Sequence, residues 1–237
     1  MPIKAILFDL DGTLLPMDYD AFMKLYFGGL AKKLAPRGYE PKSLIDAIWK
    51  GCAAMVRNDG SVSNEKAFWD AFSKIFGERV FADMPYFDDF YHNEYVAAKT
   101  ACAPTPYARK TLDLVKRKGL RAVLATNPIF PEAATMARIS WAGLLPEDFE
   151  LITTYENAGL AKPNPAYYLD ITKRIGLAPE ECLMVGNDVE EDMIAESVGM
   201  KVFLLSDCII SRENKDLSGI PSGSFPELLA CIEALNT

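Results

Sequence analysis

The chain has 237 residues, 50% of them apolar and 24% charged, and its 25 Lys and Arg against 33 Asp and Glu leave a net charge of −8. That composition excludes a disordered, collagenous or low-complexity chain, and an acidic surface without a basic stripe excludes the usual nucleic-acid binder. No apolar run approaches the roughly 18 residues of a membrane span, and the opening MPIKAILFDLDGT is too short and too acidic for a signal peptide. The five cysteines (Cys52, Cys102, Cys182, Cys208, Cys231) are scattered without a CxxC pair, and His92 is the single histidine. Neither a disulfide framework nor a Cys/His zinc site is expected, and a reduced, cytoplasmic chain fits best.

The first element is a short apolar run, Ile3 to Leu10, broken at Gly12, which reads as a buried strand. Residues 16 to 99 then carry four helical stripes: Phe22, Tyr26, Leu30 and Leu34; Leu44, Ile48, Cys52 and Met55; Phe68, Phe72 and Phe76; Phe87, Phe90 and Tyr91. Sixteen of the 26 aromatic residues fall in this stretch, as expected where helices pack on each other through rings. From residue 104 the pattern changes. Apolar runs at Leu120 to Ala125, Phe149 to Thr153, Cys182 to Val185 and Lys201 to Leu205 alternate with amphipathic segments beginning at Pro106, Pro131, Pro165 and Glu190. Such alternation predicts an α/β fold, a Rossmann-like parallel sheet covered on both faces. Residues 1–15 and 100–237 would form this core, with 16–99 an inserted helical module; the tail from Asp207 offers only a Ser/Gly-rich stretch and a final short helix.

In an open parallel sheet, ligands bind outside the carboxyl ends of the strands. The first strand ends in Asp9-Leu10-Asp11-Gly12-Thr13, the second in Thr126-Asn127, and the fourth in Gly186-Asn187-Asp188 with Asp192 a turn further on; Lys162 lies after the third. Asp9 and Asp11, two apart on an extended chain, point the same way. Paired carboxylates repel unless a cation lies between them, and a hard ion such as Mg²⁺ suits that role. A lone Asp-x-Asp-Gly also describes a turn, a lone Thr a turn hydroxyl, and a lone Lys a solvated charge. Together, the Thr126 hydroxyl, the Asn127 backbone N–H and Lys162 supply what a phosphoryl group needs opposite a metal.

These segments, DLDGT at 9–13, Thr126, Lys162 and GNDVEED at 186–192, in this order and with a helical insertion after the first, resemble the haloacid dehalogenase superfamily with its helical cap. The resemblance implies a Mg²⁺-dependent phosphatase acting on a small phosphorylated metabolite. Asp9 would be the nucleophile forming an aspartyl-phosphate, and Asp11 the general acid and base. Thr126, Asn127 and Lys162 would hold the phosphoryl oxygens. Asp9 and the Asp11 main-chain carbonyl would ligate the metal. An acid at position 11 disfavours carbon–halogen hydrolysis. The fourth motif departs from the family's Gly-Asp by placing Asn187 after Gly186. Asp188 is the expected inner ligand, Asn187 the alternative, and Asp192 an orienting acid.

A phosphomutase or phosphotransferase could use the same site, and a weakly catalytic binding protein could keep the fold. A receiver-type phospho-acceptor is about half this length, with its acceptor on a later strand and no inserted cap. The expected partner is a small-molecule phosphoester, with no nucleic acid and no membrane, for a monomer or homodimer. The insertion holds 11 basic and 12 acidic residues, so it announces no highly anionic substrate.

Overall fold

The computed structural model describes residues 1–213 and 216–235. Six strands, β1 (Ala5–Phe8), β2 (Arg121–Leu124), β3 (Leu151–Ile152), β4 (Cys182–Gly186), β5 (Lys201–Leu205) and β6 (Ser222–Gly223), form one sheet in the order β3-β2-β1-β4-β5-β6. All five pairings are parallel, and β1 lies between β2 and β4 with Phe8 opposite Leu124 and Val185. The residues just past these three strand ends are thereby gathered at one edge.

Every residue of β1 is buried, because the sheet is covered on both faces. Ile6 and Phe8 point to one side, Ala5 and Leu7 to the other. On the first side pack α5 (Pro106–Arg117), α6 (Glu132–Trp141) and α8 (Phe225–Glu233), through Leu112, Val115, Ile139, Leu228 and Ile232. On the second lie α7 (Pro165–Ile175), through Tyr167, Tyr168 and Ile171, and a 3₁₀ turn over Met193–Val198. Pro at the first helical position opens α5 and α7, where its missing N–H costs nothing.

Helices α1 (Tyr19–Leu34), α2 (Pro41–Val56), α3 (Asn64–Phe76) and α4 (Arg79–His92) come between β1 and α5. Asp18, Glu40 and Ser63 cap the first three through side-chain oxygens. Their stripes interlock as the sequence predicts: Trp69 and Phe72 meet Phe87 edge to face at 5.2 and 5.6 Å. The chain leaves and re-enters the sheet layer at one place. Met17 pairs antiparallel with Cys102, and the N–H groups of Asp18 and Ala103 bond the carbonyls of Ala101 and Pro16 at 2.9 and 2.8 Å.

Two features differ from expectation. The Ser/Gly-rich tail contributes β6, which backbone pairing to β5 holds without any apolar pattern. The segment from Glu190 winds as a 3₁₀ turn from Met193, because the Asp188 carboxylate first accepts the N–H groups of Glu190 and Glu191. No helix of the described residues is long and apolar enough to cross a membrane.

Candidate active site

Asp9 follows β1 directly, its N–H bonded to the Val185 carbonyl at 2.9 Å, which fixes the turn of chain at the sheet edge. Lys162 points into this edge with 1% exposure, its Nζ 2.8 Å from Asp9 Oδ1 and 2.6 Å from Asp192 Oδ1. Burial works against the ammonium charge, but the two carboxylates outweigh it and hold its pKa well above the ordinary lysine value. Burial, followed by opposition from Lys162 and support from nearby Asp9, pushes the Asp192 carboxyl above its ordinary range. Asp192 Oδ2 also accepts the Asp188 N–H at 3.0 Å. Gly186 makes that approach possible: a Cβ there would stand 2.1 Å from Asp192 Oδ2.

Gly12, with φ +83°, turns the chain away after Asp11, and a Cβ on it would strike the Asn187 amide at 2.4 Å. Thr13 closes the same corner. Its hydroxyl donates to Asn187 Oδ1 at 2.8 Å and stands 3.4 Å from Asp9 Oδ2. The Asn187 Nδ2 donates to the Cys208 carbonyl at 2.7 Å, so the amide oxygen is held facing the first motif. Asp188 is turned elsewhere: besides the two N–H groups, it takes Arg212 at 2.8 Å.

Thr126 is buried just past β2, and its carbonyl accepts the hydroxyls of Thr153 and Tyr167 at 2.8 and 2.9 Å. Asn127 accepts the Lys162 N–H at 3.3 Å and donates to Glu191 at 2.9 Å, tying three of the predicted segments together by its side chain. The Lys162–Pro163 bond is cis. Asp9, Lys162, Asp192, Asn187 and Asn127 thus form one connected polar cluster. Asp188 stands at its margin.

Asp11 is engaged by a residue that strand-end reasoning does not reach. Arg138, on α6 and with no exposure, pairs with Asp11 Oδ2, donates to the Ala134 carbonyl at 3.2 Å and stacks on Phe130 at 4.3 Å. Burial raises the Asp11 carboxyl above its ordinary range; Arg138 opposes and Asp9 reinforces the shift. The one sequence signal for Arg138 is that it shares a helical face with Ala134 and Trp141, both buried.

The family model of the haloacid dehalogenase-like hydrolases matches residues 3–196, and the chain belongs to that family. A glyceraldehyde 3-phosphate phosphatase of Methanocaldococcus jannaschii is 29% identical over 98% of this chain and 98% of its own length. A phosphoglycolate phosphatase of Nitrosospira multiformis is 25% identical, over 86% of this chain and 83% of its own. In fold, the chain is similar to a haloacid dehalogenase phosphatase of Thermococcus onnurineus, with TM-score 0.61, 20% identity, and coverage of 99% of this chain and 100% of that one.

Proposed function

We propose that this phosphatase-like hydrolase cleaves a small-molecule phosphomonoester through an aspartyl-phosphate on Asp9, with helices α1–α4 (within residues 16–99) as the cap over the site. The observation that carries the reading is the buried Lys162 ammonium shared by Asp9 and Asp192 at the end of β1. It fixes one Asp9 oxygen and supplies positive charge where a phosphoryl group would arrive.

In the first step an Asp9 oxygen attacks phosphorus, the ester P–O bond breaks, and Asp11 gives its proton to the leaving alkoxide. In the second, Asp11 takes a proton from water as the water oxygen attacks phosphorus, releasing inorganic phosphate and restoring Asp9. A carboxyl raised by burial suits a group that must start protonated near neutral pH. The Thr126 hydroxyl, the Asn127 N–H and Lys162 bind the transferring oxygens.

The residues also fit Mg²⁺. Among the described residues no three His, Cys, Asp or Glu side chains gather into a metal cage. However, a hard cation accepts amide and carbonyl oxygens, and Asp9 Oδ2 and Asn187 Oδ1 both face the Thr13 hydroxyl. Asp9, Asn187 and the Asp11 main-chain carbonyl would hold the ion. Asn187 is placed ahead of Asp188, reversing the order drawn from the sequence, because Arg212 and two N–H groups engage the Asp188 carboxylate. Bound there, the ion would neutralise phosphoryl charge.

The test is phosphate release from a panel of phosphomonoesters with Mg²⁺, with EDTA, and by Asp9→Asn. Metal-dependent release lost in Asp9→Asn is expected; undiminished release by that variant would refute the nucleophile.

A further inference from the structure

We infer that the space between α1–α4 and the loops after β2 and β3 receives the leaving group of the substrate, and that this group is a bulky, uncharged aromatic alcohol with no second anionic substituent. The inference rests on the phosphatase reading for where the phosphate lies.

Here a cavity of about 860 Å³ opens, within the roughly 300–1,000 Å³ that drug-sized ligands occupy. A two-carbon leaving group would leave most of it unfilled. Eleven of its lining residues are aromatic; some, such as Tyr26, Trp69 and Phe87, also pack the helices on each other, and the rings together wall the space. Tyr19, Trp49 and Phe81, at 50, 47 and 42% exposure, all converge on it, so large rings otherwise left wet share this one concavity.

Charge narrows the ligand further. Among the described lining residues there are four carboxylates, on Glu65, Asp88, Glu132 and Glu156, and no Lys or Arg. Burial raises the Glu65 carboxyl, and the nearby Glu156 charge raises it further. The one imidazole in the lining, His92, stands 3.5 Å from the Asp88 carboxylate, so a tail bearing a carboxylate or second phosphate would be stripped of water against these acids with no Lys or Arg of the lining to meet it.

The cavity adjoins the chemistry through two of its own wall residues. One is Phe130, whose ring also carries the Arg138 guanidinium at 4.3 Å, and Arg138 pairs with Asp11. The other is Tyr19, which lies within electrostatic reach of Glu191, Arg212 and Asp11. On this reading a phosphate at Asp9 would direct its ester group toward Phe130 and Tyr19 and the ring-lined space.

The test compares kcat/KM for naphthyl phosphate, phosphoglycolate and glyceraldehyde 3-phosphate in wild type and Trp49→Ala. It adds calorimetric titration of both proteins with naphthol, which needs no turnover. Trp49 is half exposed, so its removal spares the fold. Naphthyl phosphate should be preferred by at least about ten-fold, and Trp49→Ala should cost about ten-fold on it with little change for phosphoglycolate. Naphthol should bind wild type more tightly than the variant. Equal or better turnover of phosphoglycolate, whose leaving group carries a carboxylate, or of glyceraldehyde 3-phosphate, whose leaving group is small and uncharged, or naphthol binding that Trp49→Ala leaves unchanged, would overturn the inference. Naphthol binding without phosphate release from any ester would support the cavity's preference while refuting the phosphatase reading.

Discussion

The Arg138 guanidinium holds one oxygen of the Asp11 carboxylate, while the other, Oδ1, is buried with no hydrogen-bond partner among the described residues. One anchored oxygen and one free one is the arrangement a proton donor needs, because the anchor fixes the direction in which the free oxygen faces. On the proposed mechanism Arg138 would be a positioning residue, acting through Asp11. Arg138→Met and Asp11→Asn should each lower kcat by about 10²–10⁴, the range attributed to general acid–base catalysis. The double variant should be little worse than either single one, because both disable one device. Additive losses would separate the two residues.

Gly186 tests how closely the lysine cluster is packed. An alanine Cβ would stand 2.1 Å from Asp192 Oδ2 and 2.5 Å from Asp192 Cβ, so more than the tip of that side chain must move. Gly186→Ala should therefore push Asp192 off Lys162 and lower kcat by about 10²-fold, as expected when a residue that orients the site moves by about an ångström. Its far-ultraviolet dichroism should match wild type, and unchanged kcat would show that Asp192 has room to move.

The strand-end polar residues were legible because a polar residue closing a buried apolar run stands out: Asp9 after Ala5–Phe8 and Asn187 after Cys182–Gly186 are of this kind. Arg138 was hidden, since an arginine in an amphipathic helix ordinarily marks the wet face, and its partner lies 127 residues away. The two residues of β6 carry no pattern, because backbone pairing alone places them. The choice between Asn187 and Asp188 turns on Thr13, Cys208 and Arg212, contacts that arise only once the loops are folded together. Spacing along one motif contains none of that information.

Lys162 offers a stability test independent of turnover. Its removal leaves Asp9 and Asp192 buried and facing each other with their shared cation gone. Lys162→Met should cost about 3–5 kcal/mol, the usual penalty for breaking a buried ion pair. Adding Asp192→Asn removes one of the stranded charges and should recover about 1 kcal/mol or more. Urea denaturation of the two single variants and the double closes the cycle. No recovery would mean that Asp192 is already protonated in the folded protein.

The helical module has its own buried ion pair, and its pH dependence has a definite sign. Asp83 on α4 is 3% exposed and accepts Arg37 Nε and Nη2 at 3.0 and 2.6 Å and the Tyr39 hydroxyl at 2.9 Å. It thereby locks α4 onto the connection between α1 and α2. Burial pushes its carboxyl up, but the hydrogen bonds from Arg37 and Tyr39 outweigh burial and hold the pKa below the ordinary aspartate value. A folded pKa below the unfolded one means stabilisation present above the unfolded value, about 3.9, and lost as pH falls through the folded one. At neutral pH, Asp83→Asn should cost about 2 kcal/mol, less than a fully buried pair, because Arg37 is 41% exposed and water can replace its partner. For a chain of this length that lowers Tm by roughly 4–8 °C. Calorimetric melting across the acid range should find the gap between wild type and variant narrowing below about pH 4. A gap of constant size down to the acid limit would show that Asp83 acts through shape, with its charge contributing nothing.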